Sequence, residues 1–316
     1  MGHVKGVTVQ NHLLIFRIAS ARIKAREAAV AEALALLMDL QPQALAGGPL
    51  SDQKGVFWIR IPEETLEPAL LRLPRLGYTD AVDLLQPSHE SEWRRRAPDF
   101  VSWQKQLYHI ERIYQANQDY LRERAPDKRD FILEMESGEL RTVTGYRGDG
   151  KTLSRRALPV IDACLLVNLV FKPTGGNFLD PFGGAGGVIV EAVTSGYHVF
   201  SGDIDPTLRH GLSRLGASHS IANALRLPFA DDSINAIATE PPYDRDVTPL
   251  VVDSLAEMTR VLKTDSRIAM LCARWQAEAL RQQGIQLKLR PILDSEINRK
   301  GTDCTVLAWE KLEANG

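Results

Sequence analysis

"LDPFGGAGGVIVEA", residues 179–192, decides the fold. It places an apolar run ending in Asp180 directly before Gly183, Gly184, Gly186 and Gly187, and these directly before an apolar stretch of helical composition. That is a strand, a tight turn and a helix. The same alternation continues on both sides. "SRRALPVIDACLLVNLVF" precedes it as a helix. After it come "HVFSGDID" as a strand, "PTLRHGLSRL" as a helix, and "SHSIAN" and "INAIATE" as short strands. "PLVVDSLAEMTRVL" then reads as a helix, "RIAMLCA" as a strand and "WQAEALRQQ" as a helix. Strands alternating with helices predict an α/β fold with a doubly wound, Rossmann-like, mostly parallel sheet. "IQLKLRPILDSE" and "CTVLAWEK" close the chain with no helix between them, which predicts an antiparallel hairpin at one edge.

The turn also predicts a ligand. Glycine lets backbone approach a bound molecule closely and adopt positive φ, and open parallel sheets bind ligands at the carboxyl ends of their strands. The spacing is neither GxGxxG nor a P-loop, so a phosphate cradle is excluded. Asp180 would repel a phosphate and attract an ammonium group. One strand later, "SGDID" offers Asp203 or Asp205 to a ribose diol; Asp205, before Pro206, equally suits a helix N-cap. A ribose together with a cationic, phosphate-free end describes S-adenosylmethionine.

A second motif, "TEPPYD", follows the apolar run "INAIA". Pro241 and Pro242 end a strand and stiffen the backbone. Glu240 supplies a carboxylate, Pro241 a fixed carbonyl and Tyr243 an aromatic face. With both motifs in this order, residues 150–316 resemble a class I S-adenosylmethionine-dependent methyltransferase of the amino-methylating type. The resemblance is closest to the tRNA guanine-N2 methyltransferases that carry a THUMP module, through "GYRGDGKTLSRRALPVIDACLLVNLVF", "GDIDP" and "NALRLPFADDSINAIATEPPY". It implies a cofactor site formed by Asp180, Pro181, Phe182, Gly184, Gly186, Asp203, Ile204, Asn223 and Ala224. It also implies a catalytic motif of Glu240, Pro241, Pro242 and Tyr243, in which Glu240 and the Pro241 carbonyl accept the hydrogens of a base amine and Tyr243 stacks on the base. Glu240 replaces the family's usual Asp, Asn or Ser, and Asn223 stands where many relatives carry Asp. Glu191, on the helix after the glycines, reads as an ordinary helix residue. Guanine offers adjacent N1–H and 2-amine donors, which suit a bidentate carboxylate. The implied substrate is RNA, foremost tRNA, with a partner subunit possible. A DNA adenine or cytosine N-methyltransferase and a non-catalytic RNA-binding protein are the alternatives.

The front of the chain carries no catalytic signature. Residues 1–86 predict a small α+β, ferredoxin-like domain from "HLLIFRIAS", "RIKAREAAVAEALALLMDL", "GVFWIRIP" and "TLEPALLRLPRLGY", with "QPQALAGGPLSDQ" as a loop. Residues 87–150 interleave bases with Trp93, Phe100, Trp103, Tyr108, Tyr114 and Tyr120, and predict a basic and aromatic helical linker, then a hairpin turning near Ser137 and Gly138. Such a stretch either grips nucleic acid or buries its aromatics. Residues 151–316 form the expected methyltransferase domain.

Composition sets the outer bounds. The 316 residues are 44% hydrophobic and 25% charged with net charge −2, so any polyanion must meet a local patch. Cys164, Cys272 and Cys304 lie far apart, which argues against a zinc site or a disulfide framework. No apolar run approaches the ~18 residues of a membrane span and no signal peptide is evident, so the expected location is cytoplasmic.

Overall fold

The computed structural model describes residues 11–88, 99–123, 130–144, 158–299 and 302–313. The chain divides into two units, Met1–Asn117 and Gln118–Gly316.

In the first unit, β1 (Asn11–Ile18), α1 (Arg26–Leu36), β2 (Gln43–Leu45), β3 (Val56–Pro62), α2 (Leu66–Arg72), β4 (Thr79–Pro87), β5 (Phe100–Trp103) and β6 (Gln106–Gln115) follow in order. The six strands form one sheet in the order β2-β3-β1-β4-β6-β5. All of its pairs are antiparallel. Two expectations fail here. β2 lies inside the predicted loop, and residues 100–115 are strands rather than a helical linker. Their register explains why: Val101, Trp103, Tyr108 and Ile110 pack against the cluster of Leu13, Ile15, Val56, Trp58 and Leu85. These aromatics are therefore part of the sheet's packing. Trp93, the arginines beside it and residues 145–157 lie outside the described residues, as does the side chain of Tyr120.

The second unit opens with α3 (Gln118–Glu123) and the hairpin β7 (Asp130–Glu134) to β8 (Leu140–Thr144), with Gly138 at φ +80° in its turn. Then follow α4 (Val160–Leu169), β9 (Asn177–Asp180), α5 (Gly187–Thr194), β10 (His198–Asp203), α6 (Arg209–Ser213), β11 (Ser218–Ile221) and β12 (Ile234–Thr239). The unit ends with α7 (Thr248–Val261), β13 (Leu262–Ala273), α8 (Arg274–Gln286), β14 (Arg290–Arg299) and β15 (Thr302–Glu310). The sheet order is β11-β10-β9-β12-β13-β15-β14. The first five strands are parallel, and β15 and β14 run antiparallel to their neighbours. The doubly wound sheet and its terminal hairpin are as predicted, except that α8 extends through Gln286, so "IQLKL" is not strand.

The elements follow from local chemistry. β12 is buried at five of its six positions, as a central parallel strand must be. α5 ends at Gly196, whose φ of +82° lets the chain turn back with Tyr197 N–H on the Ala192 carbonyl. α4 is buried at nine of its ten positions, which accounts for its near-continuous apolar sequence. The core under β12 and β13 gathers Ile237, Leu255, Met258, Met270, Leu280 and Trp309.

Candidate active site

The sheet reverses its winding between β9 and β12. On one side of that seam the order runs β9-β10-β11, on the other β12-β13. Open α/β sheets bind ligands in this crevice, beyond the carboxyl ends of the strands. Asp180 ends β9 and Glu240 directly follows β12, so the two predicted motifs meet at the seam. Thr239 joins them: its hydroxyl donates to Asp180 Oδ1 at 2.6 Å.

Asp180 is fully buried. Its Oδ1 also accepts the Phe182 N–H at 3.2 Å, and no cation pairs with it among the described residues. Burial pushes its carboxyl up to about 7; the bonds from Thr239 and Phe182 oppose this, and the charges of Asp203 and Glu240 add to it. Pro181 is buried and Phe182 half-buried beside it. Gly184 sits at φ +49°, and a Cβ there would meet only the Phe182 carbonyl, at 3.7 Å. It is the open face of the turn. Gly186 differs, since a Cβ there would lie 2.1 Å from Leu215. The Leu215 atom is the tip of a side chain that can shift, so it is the φ of +75°, rarely adopted by other residues, that calls for glycine here.

Asp203 ends β10. Its Oδ2 accepts the Gly184 N–H at 2.9 Å and its Oδ1 the Asp205 N–H at 2.9 Å. This acid therefore shapes the glycine turn before any ligand arrives. Asp205 caps the following turn, accepting from Thr207 N–H at 2.8 Å and Thr207 Oγ1 at 2.7 Å. Ile204 between them is 64% exposed, an apolar side chain at the mouth of the crevice. Ala224 is buried, and Asn223 is exposed with its side-chain carbonyl closing a turn onto Leu225 N–H at 2.9 Å. Only the remaining acceptor capacity of that carbonyl is left for an adenine amine. Glu191 is buried and accepts the Cys164 thiol at 3.3 Å, so it belongs to the packing behind the turn.

The second motif holds a network the sequence did not disclose. Glu240 Oε1 accepts from the Tyr243 hydroxyl at 2.6 Å and from Arg299 Nη1 at 2.5 Å. The same Nη1 lies 2.8 Å from the Tyr243 oxygen, and Arg299 Nε lies 3.2 Å from Asp162 Oδ2. Cys304 Sγ stands 3.6 Å from the Tyr243 oxygen. Burial and the Glu240 charge push the Tyr243 phenol well above its usual range, so it remains a donor. Burial works against the charge on Arg299, but Glu240, Tyr243 and Asp162 outweigh it and raise its pKa. Tyr243 thus turns its hydroxyl inward, and Glu240 keeps one oxygen, Oε2, without a hydrogen bond from the described residues. A guanine spanning both carboxylate oxygens would have to compete for Oε1. Pro241 is buried; the exposed Pro242 is pinned through its carbonyl by Gln276 Nε2 at 2.9 Å. Next to Gln276, Trp275 is 43% exposed. The Arg245 guanidinium lies 4.8 Å from its ring centre.

Arg299 and Asp162 gave no signal in the sequence because they lie on β14 and α4, far from either motif. An Arg in the terminal hairpin, on the strand whose partner carries Cys304, was the one available hint.

No family model matches the chain. A segment of 94 residues is 37% identical to a tRNA (guanine(10)-N2)-dimethyltransferase of Methanothermobacter thermautotrophicus, covering 27% of each chain. The chain is similar to that enzyme over this segment. It spans about a quarter of the length of that curated relative, at 27%. Two solved structures also resemble the chain. TrmN from Thermus thermophilus has a TM-score of 0.48 at 15% identity, over 96% of this chain and 100% of its own. Geranyl diphosphate C-methyltransferase from Streptomyces coelicolor A3(2) has a TM-score of 0.41 at 14% identity, over 49% of this chain and 78% of its own. Among the described residues, no group of His, Cys, Asp and Glu is arranged to hold a metal ion. No described helix is long and apolar enough to cross a membrane. Cys164, Cys272 and Cys304 are buried, and among the described residues they form no disulfide.

Proposed function

We propose that this protein transfers a methyl group from S-adenosylmethionine to an exocyclic base amine in RNA, foremost guanine N2 in tRNA. The observation that carries the reading is the seam itself: a buried carboxylate with no cation beside it among the described residues, 2.6 Å from the hydroxyl of the residue preceding Glu240. The residues fit the cofactor. Asp180 suits an ammonium group, Gly184 leaves backbone open to a close approach, Asp203 stands at the strand end where a ribose would lie, and Ile204 offers an exposed apolar surface to a purine.

When bound, S-adenosylmethionine supplies a methyl group made electrophilic by its sulfonium. The chain's own residues act on the acceptor. An aromatic amine is a weak nucleophile, and nitrogen gains positive charge as the new bond forms. Glu240 Oε2 and the Pro241 carbonyl are acceptors for the amine hydrogens and oppose that charge. The prolines hold both acceptors in place, which is the orientation a slow nucleophile requires. The half-exposed Trp275, with Arg245 over its ring, supports a nucleic-acid substrate, since bases stack on such surfaces.

The test uses purified protein, labelled S-adenosylmethionine, and unmodified tRNA beside unmethylated DNA, with products digested to nucleosides. Label is expected in N2-methylguanosine from tRNA, with Glu240→Ala reducing the rate by about 10²–10³. Label in DNA alone, or none in either, overturns the reading.

A further inference from the structure

We propose that Arg299 is a positioning residue that makes glutamate, rather than the shorter aspartate, the working acid at position 240. The inference deepens the methyltransferase reading and rests on it for its catalytic consequence. Its geometric part stands alone.

Arg299 is held between two acids. Its Nε lies 3.2 Å from Asp162 Oδ2, and Asp162 is 1% exposed. Its Nη1 reaches Glu240 Oε1 at 2.5 Å and the Tyr243 oxygen at 2.8 Å. Nε makes no hydrogen bond among the described residues, so Asp162 holds the guanidinium by charge, while the bonds from Nη1 to Glu240 and Tyr243 set where that planar group points. Each carboxylate oxygen offers about two acceptor positions. Tyr243 and Arg299 use those of Oε1, and the described residues leave Oε2 open. The longer glutamate side chain is therefore turned toward β14, and a single oxygen is presented to the crevice.

Aspartate at 240 is one methylene shorter. To keep the Arg299 and Tyr243 bonds its carboxylate would have to retreat from the amine; to reach the amine it would have to leave them. Arg299, with Asp162 buried behind it, cannot follow without stranding that charge. The family's commoner acid is thus expected to be the poorer one in this chain.

The experiment has two readouts. The first needs no substrate. In protein labelled with 15N-arginine, the side-chain signals of Arg299 are assigned by their loss in Arg299→Lys. They are expected to show a guanidinium in fixed contact in the wild type and a shifted, averaged one in Glu240→Asp. Unchanged Arg299 signals in Glu240→Asp overturn the proposal. The second readout is methyl transfer to unmodified tRNA. Glu240→Asp and Arg299→Met are each expected to lower kcat by about 10²-fold, as a misplacement near 1 Å does, with cofactor affinity by calorimetry unchanged. Arg299→Lys, which keeps the charge and loses the fork, is expected to fall between. Arg299→Met with Glu240→Asp is expected to lose no more than either alone, because both break one unit. A Glu240→Asp protein as active as wild type, or losses that multiply, overturns the proposal. A wild type that methylates neither tRNA nor DNA defeats the methyltransferase reading, and the arginine spectrum then decides the clamp by itself.

Discussion

Asp180 is the residue at which the proposed cofactor binding and acidity meet. Its carboxyl, pushed up from 3.8 to about 7 by burial, is protonated in much of the free protein at neutral pH. The sign follows from linkage. A carboxyl whose folded pKa lies above its unfolded one adds stability below pH about 4, and that contribution is lost as pH rises through about 7. A cationic ligand reverses the preference, because it favours the ionised form. S-adenosylmethionine affinity is therefore expected to rise with pH from 5 to 7, approaching about tenfold per pH unit if only the carboxylate binds, and to level off above. Binding at pH 6 is expected to release a proton, measurable by calorimetry in buffers of different ionisation heat. Asp180→Asn is expected to bind weakly with a flat pH profile; a wild-type profile as flat as the variant's refutes the role. Asp180 was legible in the sequence because strand end, glycine turn and acid are contiguous. The Arg299 contact was not, since it joins residues 59 positions apart through a strand with no motif of its own.

At the scale of elements, the hairpin β7–β8 is fastened to α6. Phe131 packs over Gly211, and Arg209 reaches both oxygens of Glu134, with Nη2 on Oε1 at 2.8 Å. A Cβ on Gly211 would lie 2.4 Å from the Phe131 ring and 2.7 Å from the Ile132 carbonyl. In an exposed helix Gly→Ala stabilises by up to about 1 kcal/mol. Here backbone stands in the way, so Gly211→Ala is expected to destabilise by about 1–3 kcal/mol, the usual range for overpacking. Urea unfolding checks it, and a stabilised variant contradicts the packing. The hairpin was readable because Ser137-Gly138 sits between two apolar runs. Residues 100–115 were misread for an equally physical reason. Aromatics spaced among charges fit a helix face as well as alternating strand faces, and the partner that chose strand, β4, lies more than a dozen residues earlier. β2 was missed because three residues cannot show a period; its pairing with β3 alone defines it.

At the scale of the whole molecule, every residue of the candidate site belongs to Gln118–Gly316, from Asp162 and Asp180 to Arg299 and Cys304. Met1–Asn117 has its own sheet and its own core, including the stacked pair Phe16 and Phe57 at 4.8 Å. Net charge −2 over 316 residues also denies the chain a global attraction for RNA. If tRNA is the substrate, recognition must then come from local surfaces, and the first unit is the part of the chain that carries none of the candidate site residues. Residues 118–316 expressed alone are expected to bind S-adenosylmethionine within about threefold of the full chain, a difference of under 1 kcal/mol. Their methyl transfer to tRNA is expected to fall by at least about 10²-fold, mainly through a raised KM, as when remote binding energy is removed. Circular dichroism of the fragment guards against simple unfolding. Full activity of a folded fragment on tRNA would assign recognition to the second unit, and loss of cofactor binding by a folded fragment would mean that the site draws on residues before 118.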